Sequence, residues 1–354
     1  MSFFSVTIET ISHIGKHPNA DTLDVARLEG LDFQFVVRKG EFTAGEKVVY
    51  FPLDSLIPLN VLEQFGMVKE GKGILAGKQG NRVKTKEIRG ILSRGIVVKI
   101  HHIEGMERLS TDLPTPEELT KYFGVEKWEP QVVLEKGANL LPLPQHVQDI
   151  VGARYDIEST DRHIDVVETL RDVCVYVTEK LEGQNFSVTA TPSGEVFVSQ
   201  RNYTIKPIEG HTHSFWKVAD SEGIIATAKR LVRTEPVTIF GELLGPGVQD
   251  NIYQLKKHEV HVFDIAVGGR FLDYAELCAE CFASDLKQAP VLFTGFLRDF
   301  LAGKTVQEVA GGTSKLFDTL REGIVIKPIY EMKLPHFGRV IIKKRDEKYE
   351  AIRG

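Results

Sequence analysis

The sequence predicts a two-part chain of α+β class, in which a small all-β module precedes a larger domain of mixed strands and helices. Three observations predict it. At 354 residues the chain is longer than one typical domain. Its first hundred residues alternate apolar and polar positions between glycines, and from about Val151 longer strand patterns are interrupted by helical ones without regular βαβ alternation.

In the first part, "VTIETISHI", "TLDVARLEG", "FQFVVRKG", "EKVVYFPL", "RVKTKEI" and "RGIVVKI" read as short strands. Period-two alternation with closely spaced turn signals is the pattern of a small β-barrel or a sandwich. After a polar, proline-containing stretch from Gly105, "TPEELTKYFGV" predicts a helix capped by Thr115, whose hydroxyl can satisfy an early backbone N–H. "EKGANLLPLPQHVQD" reads as a linker, because its prolines break any regular element. The expected division is a β domain with a helical extension over residues 1–130, a linker over 131–152 and a second domain over 153–354.

In the second domain "VCVYVTE", "NFSVTAT" and "EVFVSQRN" form a strand trio, and "SFWKVADSEGIIATAKRLVR" reads as one helix. "VTIFGELLG" and "EVHVFDIAVG" read as buried strands, and "LDYAELCAECFASDL" and "TVQEVAGG" as helices. "EGIVIKP" and "RVIIKKR" follow as strands.

An apolar fraction of 42% and a charged fraction of 26% belong to a globular protein. No apolar run approaches a membrane span, and the opening "MSFFSVTIETISHI" alternates like a strand, unlike a signal peptide. Three cysteines cannot form a disulfide framework. The expectation is a monomeric cytoplasmic protein, with the nucleus as the alternative and no membrane partner. A net charge of −5 argues against binding polyanions over the whole surface. Two local basic stretches stand out, "NRVKTKEIRGILSR" with Arg82, Lys84, Lys86, Arg89 and Arg94, and "GRVIIKKRDEKY".

Several chemistries can be set aside. "DFLAGKT" ends like a phosphate-binding loop, but the pattern needs glycine where Arg298 stands, and its side chain would obstruct the anion-cradling turn. Cys278 and Cys281 share a helix face with no second pair to complete a zinc site, so two core thiols are the preferred reading. His211 and His213 read as polar side chains facing solvent rather than a ligand pair.

What remains is a set of charged or aromatic residues that interrupt otherwise apolar strands: Lys180, Glu242, Phe263 with Asp264, Glu322 with Lys327, and Lys343 with Lys344. Buried charge is costly unless paired, metal-bound or used, so these interruptions together ask for a common site. Lysines can neutralise phosphates, acids can bind ribose hydroxyls or a divalent metal, and an aromatic ring can stack on a base. Cations near Lys180 would favour the neutral amine that a nucleophile needs.

In order along the chain, "EKLEGQN", "SQRN", "FGELLGPG", "VFDI", "EGIVIK" and "VIIKK" resemble the motifs of the covalent nucleotidyltransferases, the ATP-dependent polynucleotide ligases and mRNA capping enzymes. The acid before the lysine, Glu179, and the asparagine two after the glycine, Asn185, make the resemblance closest to ATP-dependent RNA ligases. The resemblance implies an adenylation domain of antiparallel sheets and helices. In it Lys180 would attack the α-phosphate of ATP to give a lysyl-adenylate, with Mg2+ or Mn2+ as the metal. The AMP would pass to a 5′-phosphate end, and a 3′-hydroxyl would displace it. The implied ATP site holds Glu179, Leu181, Gly183, Asn185, Arg201, Glu242, Phe263, Lys327, Lys343 and Arg345. Within it Arg201 would bind phosphate or the RNA end, Glu242 the ribose, Phe263 the adenine, and Lys327 and Lys343 the phosphates, while Glu322 would help position the metal. Where many ligases have two lysines two apart, Lys343 is followed by Arg345, whose planar fork binds phosphate differently.

The β module adds to this. "HPNADTLDVARLEG" resembles OB-folds that bind tRNA, and "KGEFTAGEKVVYFPLDSLIP" resembles the N-terminal module of the RNA ligase branch that seals nicked duplexes. DNA ligases and capping enzymes carry an OB-fold after the last motif, where this sequence leaves no room for one. The resemblance therefore implies an N-terminal OB-type β-barrel in which Arg82, Lys84, Lys86 and Arg89 grip nicked duplex RNA or an RNA-containing hybrid. A capping-type guanylyltransferase and a non-catalytic OB-fold RNA-binding protein are the alternatives.

Overall fold

The computed structural model describes residues 4–100, 113–128, 138–142, 155, 157–201, 203–207, 213–335 and 337–353. The stretch 105–112, most of the expected linker 131–152 and His211 lie outside the described residues. The chain divides into two compact units. One gathers Ser2–Gln131 with Thr160–Ile164 and Glu347–Gly354, and the other gathers Val132–Ser159 with Asp165–Asp346.

The first unit is built on a five-stranded antiparallel sheet in the order Ile96–Lys99, Lys47–Phe51, Thr7–Lys16, Leu23–Leu28, Gln34–Arg38. The strand Thr7–Lys16 serves both halves: Thr7–Thr10 pairs with Lys47–Tyr50, Ile11–Lys16 pairs with Asp24–Leu28, and a bulge between Ile11 and His13 turns it from one to the other. The sheet curls so far that its edges approach. The Arg94 N–H donates to the Gln34 carbonyl at 3.1 Å, and the Val36 N–H donates to Ser93 Oγ at 3.0 Å. This is the partly closed barrel expected of an OB-fold. Alternate residues of its strands divide between two clusters, Ile11, Ala26, Phe35 and Tyr50 in one and Val49 and Phe51 in the other, where the helix residues Leu62 and Leu119 join them. The helix Pro116–Tyr122 starts as expected, on a capping box between Thr115 and Glu118.

The second unit has two sheets. The seven-stranded antiparallel sheet runs Ala138–Pro142, Tyr203–Pro207, Val196–Ser199, Gln184–Ala190, Val237–Leu244, Glu259–Val267, Arg270–Phe271. Phe186, Val188, Ile239, Leu243, Val260 and Val262 turn one face into a core covered by the helices Ser214–Ser221 and Ile224–Leu231. The five-stranded sheet runs Glu158–Ser159, Ile342–Arg345, Gly323–Pro328, Cys174–Lys180, Val291–Phe296, antiparallel except for its first pair. Val175, Val177, Ile324, Ile326 and Ile342 face its own core. Because side chains alternate, each sheet turns a second, more polar face the other way, and that face carries the site.

Four expectations are corrected. The segment read as a linker contains the strand Ala138–Pro142, paired with Tyr203–Pro207; it is an edge strand, where a proline's missing N–H breaks no ladder. The single helix expected over Ser214–Arg233 is two, split where Gly223 takes φ +70°. The last strand is shorter than "RVIIKKR", with Ile342–Arg345 separate from the small pair Lys333–Leu334 and Gly338–Arg339. His213 is no surface group but is buried, its Nδ1 accepting from the Phe215 N–H as the cap of the helix Ser214–Ser221.

Candidate active site

Lys180 ends the strand Cys174–Lys180, and the turn that follows is dictated by Gly183. A Cβ at Gly183 would lie 2.4 Å from the Leu243 carbonyl oxygen and 2.7 Å from Glu242 Cγ, so only glycine lets the chain pass this close to the strand Val237–Leu244. Leu181 is buried beneath the turn. From Gln184 the chain pairs with Val237–Leu244 in a register that sets Asn185 opposite Glu242. Directly opposed residues share a face, so Asn185 and Glu242 stand together, and Glu242 lies close enough to feel the Lys180 charge.

The centre of the cluster is Glu322, which immediately precedes the strand Gly323–Pro328. Its Oε1 lies 2.6 Å from Lys180 Nζ and 3.1 Å from Arg345 Nε. Glu242 completes it. Its carboxyl is pushed up to about 8, chiefly by desolvation and further by the charge of Glu322, with the Lys180 ammonium opposing. Register decides which residues of "IIKKR" join this face. Lys180 is opposite Gly323 and Gly323 opposite Arg345, while Val325 is opposite Lys343. Lys343 and Arg345 are therefore half-buried on the Lys180 face, and Lys344 is fully buried on the other.

Other sequence-predicted residues lie elsewhere. Glu179 alternates away from Lys180 and is buried, its Oε2 accepting the Lys315 N–H at 2.8 Å. Burial raises its carboxyl, with Ser314 and Lys315 hydrogen bonds opposing. It shapes the loop Ser314–Leu316 rather than lining the Lys180 cluster. Lys327 lies opposite Tyr176, four residues back from Lys180, in a second cluster. Its Nζ is 3.0 Å from Asp264 Oδ2 and donates to the Phe263 carbonyl at 2.7 Å. Asp264 is fully buried and also holds Arg339 at 3.0 Å and the Tyr155 hydroxyl. Desolvation lowers the Lys327 pKa and Asp264 opposes it. In this structure Lys327 is engaged by Asp264 and the Phe263 carbonyl rather than by the Lys180 cluster.

Phe263 is the extra residue of a bulge: Phe240 pairs with Asp264 and Gly241 with Val262, leaving Phe263 between them. It is half-buried, with the Tyr155 ring 5.0 Å away. Arg201 is half-buried just past Val196–Ser199, two strands from Glu242.

In the first unit, the basic stretch is not one surface. Arg82 is bound to Asp54 through Nε at 3.0 Å and Nη2 at 2.6 Å, and its guanidinium lies 3.3 Å from the Trp128 ring centroid. Lys84 is half-buried beside it, its pKa lowered first by burial and then by Arg82. Arg94 is buried against Asp161 and Glu350, at 3.2 and 3.1 Å. Lys86 and Arg89 are exposed on the hairpin Lys86–Ser93. The tip of that hairpin is held by His17 Nε2 on the Ile88 carbonyl and Asn19 Nδ2 on the Arg89 carbonyl, each at 3.0 Å.

Sequence reasoning missed the loop after "FGELL". Its Tyr253 hydroxyl accepts the Glu182 N–H at 2.8 Å, inside the turn that carries Lys180. The signal was present in "GPGVQDNIY", a dense run of turn formers directly behind a buried strand.

Among the described residues, no group of three or more His, Cys, Asp or Glu gathers as a metal cage, and no helix is long and apolar enough to cross a membrane. The two carboxylates beside Lys180 do suit a hard divalent cation that takes its other ligands from phosphate and water. Glu242, raised in pKa by burial beside a second acid, is a group such a cation would stabilise in its ionised form.

The comparisons with known proteins agree with this geometry. Residues 174–345 match the RNA ligase family model, and residues 5–100 match an OB-fold domain model. Among solved structures, the Naegleria gruberi RNA ligase with PPi has a TM-score of 0.80 at 24% identity, covering 98% of this chain and 97% of that one. A lysine-to-alanine mutant of that ligase with ATP and Mn has a TM-score of 0.80 at 23% identity, covering 99% and 98%. An aspartate-to-alanine mutant without ligand has 0.81 at 24% identity, covering 99% and 98%. These likenesses establish the fold, while the ligase motifs lie within the stretch matched by the family model. Residues 174–345 are an RNA ligase domain, preceded along the chain by an OB-fold domain over residues 5–100, and Lys180, Gly183, Glu242 and Glu322 all fall within the ligase domain.

Proposed function

We propose that this RNA ligase joins 3′-hydroxyl and 5′-phosphate ends, at nicks in duplex RNA or an RNA-containing hybrid, with ATP as AMP donor and Lys180 as AMP carrier. The observation that carries the reading is Lys180 Nζ held 2.6 Å from Glu322 Oε1, with Glu242 beside it and the cations Lys343 and Arg345 on the same face.

Attack requires the neutral amine, and Glu322 is in contact to take its proton. The Lys180 nitrogen then bonds the α-phosphorus of ATP, and the bond from that phosphorus to the bridging oxygen breaks, releasing pyrophosphate. Lys343 and Arg345 are placed to balance the phosphate charge. Glu242 and Asn185, opposite each other across two strands, would meet the nucleoside, and Phe263 would stack on adenine. Next, an oxygen of the RNA 5′-phosphate attacks the same phosphorus, the P–N bond breaks, and Lys180 recovers its proton. Finally the 3′-hydroxyl attacks the 5′-phosphorus, losing its proton as AMP leaves. Arg201 is the candidate for holding the 5′ end. A divalent ion, Mg2+ or Mn2+, would be held by Glu322 and Glu242 and would supply positive charge to the phosphates. The Naegleria ligase structures with ATP and Mn, and with AMP and Mn, support the choice of nucleotide and metal.

The test is covalent labelling. With α-labelled ATP and Mg2+ or Mn2+ the protein acquires an acid-labile label, Lys180→Ala acquires none, and α-labelled GTP in a parallel reaction gives none. A wild-type protein that stays unlabelled by ATP sinks the reading, and labelling by GTP instead moves it to a guanylyltransferase.

A further inference from the structure

The turn that carries Lys180 is held by a second loop, Gly245–Gln254, through three hydrogen bonds. The Glu182 N–H donates to the Tyr253 hydroxyl at 2.8 Å, the Asp250 N–H donates to Glu182 Oε1 at 3.3 Å, and Gln249 Nε2 donates to the Gly183 carbonyl at 3.4 Å. Each bond ends on one of the three residues after the lysine that carry polar backbone out of its strand, so the loop grips the turn from both its amide and its carbonyl side.

The loop itself is stiff. Gln249, Asn251 and Gln254 all have φ between 45° and 51°, a region that non-glycine residues enter only under local constraint. The constraint is visible: Asn251 Nδ2 donates to the Leu255 carbonyl at 3.0 Å while its Oδ1 accepts the Leu255 N–H at 3.1 Å, and His258 Nε2 bonds the Pro246 carbonyl at 2.9 Å. Tyr253 anchors the loop inward, only 2% exposed, with a ring that stays packed whether or not the hydroxyl is present. Burial holds that hydroxyl in its neutral form, with the carboxylates of Glu179, Glu322 and Glu182 adding to the effect. Such stored backbone strain, spent on holding one turn, is the pattern of an element that fixes a reacting group in place.

We infer that Tyr253 is a positioning residue for the nucleophile: through the Glu182 amide it sets where Lys180 Nζ stands relative to the α-phosphorus. This rests on the ligase reading above and goes beyond it, because the three hydrogen bonds made by Tyr253 and its loop are with Glu182 and Gly183 and not with the Lys180 amine. Removing the hydroxyl leaves the Glu182 N–H without its partner and lets the turn relax, which loosens the attack distance without removing a group that binds ATP.

The experiment is single-turnover self-adenylation across a range of ATP concentrations for wild type, Tyr253→Phe and Gln249→Ala, each with its thermal melt. For Tyr253→Phe the plateau rate falls by about ten- to a hundredfold, while the ATP concentration giving half the plateau stays that of wild type and the melt stays cooperative. Gln249→Ala, whose side chain is exposed and whose loss cannot unfold the chain, falls in the same direction by a smaller factor. Equal plateau rates in all three proteins overturn the inference and leave the ligase reading intact. A rise in the half-saturating ATP concentration at unchanged plateau also overturns it, because that would make Tyr253 part of the ATP site. If wild type is not labelled at all, the ligase reading itself has failed and this inference with it.

Discussion

A methyl group on Gly183 would meet three atoms at once: the Leu243 carbonyl oxygen, Glu242 Cγ and Leu244 Cδ2, all within 2.7 Å. All three belong to the strand Val237–Leu244 and one is backbone, so a rotamer change cannot relieve the clash. Gly183→Ala must push the turn off that strand, and overpacking of this kind costs about 1–3 kcal/mol. Urea unfolding should show that loss, and covalent labelling by ATP should fall far more than stability does, because the displaced turn carries Lys180. Unchanged labelling would mean that the close approach is not needed for chemistry. The lysine and this glycine were legible in the sequence because their chemistry is local. The partner of Glu179 was not, since its Lys315 amide lies 136 residues away and only the folded sheet turns that acid from Lys180. Strand parity was legible in "IIKKR", and the register through Gly323 places Arg345 rather than Lys344 on the Lys180 face.

At the scale of elements, the hairpin Lys86–Ser93 separates the basic stretch into parts with different uses. Arg82 is spent on Asp54 and the Trp128 ring, a contact that fixes the strand-like segment Asn81–Val83 against Ser55–Ile57. Lys86 and Arg89 remain exposed, and His17 and Asn19 pin the tip where Arg89 takes φ +48°. Lys86→Ala and Arg89→Ala should therefore each weaken binding to a nicked RNA duplex and reduce the slope of log affinity against log salt by about 1. Arg82→Ala should mainly lower the stability of this unit, seen in its denaturant midpoint. An unchanged salt slope in the Lys86→Ala, Arg89→Ala double variant would remove the hairpin from the RNA interface. Sequence alone counted five cations here because charge is visible in one dimension; the partners that neutralise Arg82 and Arg94 come from distant segments. Strand alternation was legible for the same reason in reverse, since period two is set by the neighbouring residue and survives any fold.

For the molecule as a whole, the unexpected feature is that the first unit includes residues from the middle and the far end of the sequence, Thr160–Ile164 and Glu347–Gly354. Periodicity could not reveal this, because seven residues of helix, Glu347–Arg353, look alike wherever they pack. Charge is what ties them. Arg94, almost wholly buried, pairs with Asp161 at 3.2 Å and Glu350 at 3.1 Å, and Glu350 also accepts from Thr85 Oγ1 at 2.9 Å. Deleting residues 1–104 would take Arg94 away from Asp161, Glu347 and Glu350, so it cannot cleanly separate RNA binding from adenylation. The opposite cut is more informative. A chain ending at Asp346 loses the Glu350 carboxylate and buried Tyr349, and breaking a buried ion pair in this way costs about 3–5 kcal/mol. The two tryptophans report separately, Trp128 in the first unit and Trp216 in the second. With Trp216→Phe, the Trp128 fluorescence midpoint in urea should fall on truncation. With Trp128→Phe, the Trp216 midpoint should stay where it was. If truncation moves only the Trp216 midpoint, the terminal helix stabilises the second unit and the ion cluster around Arg94 is not what holds the first together.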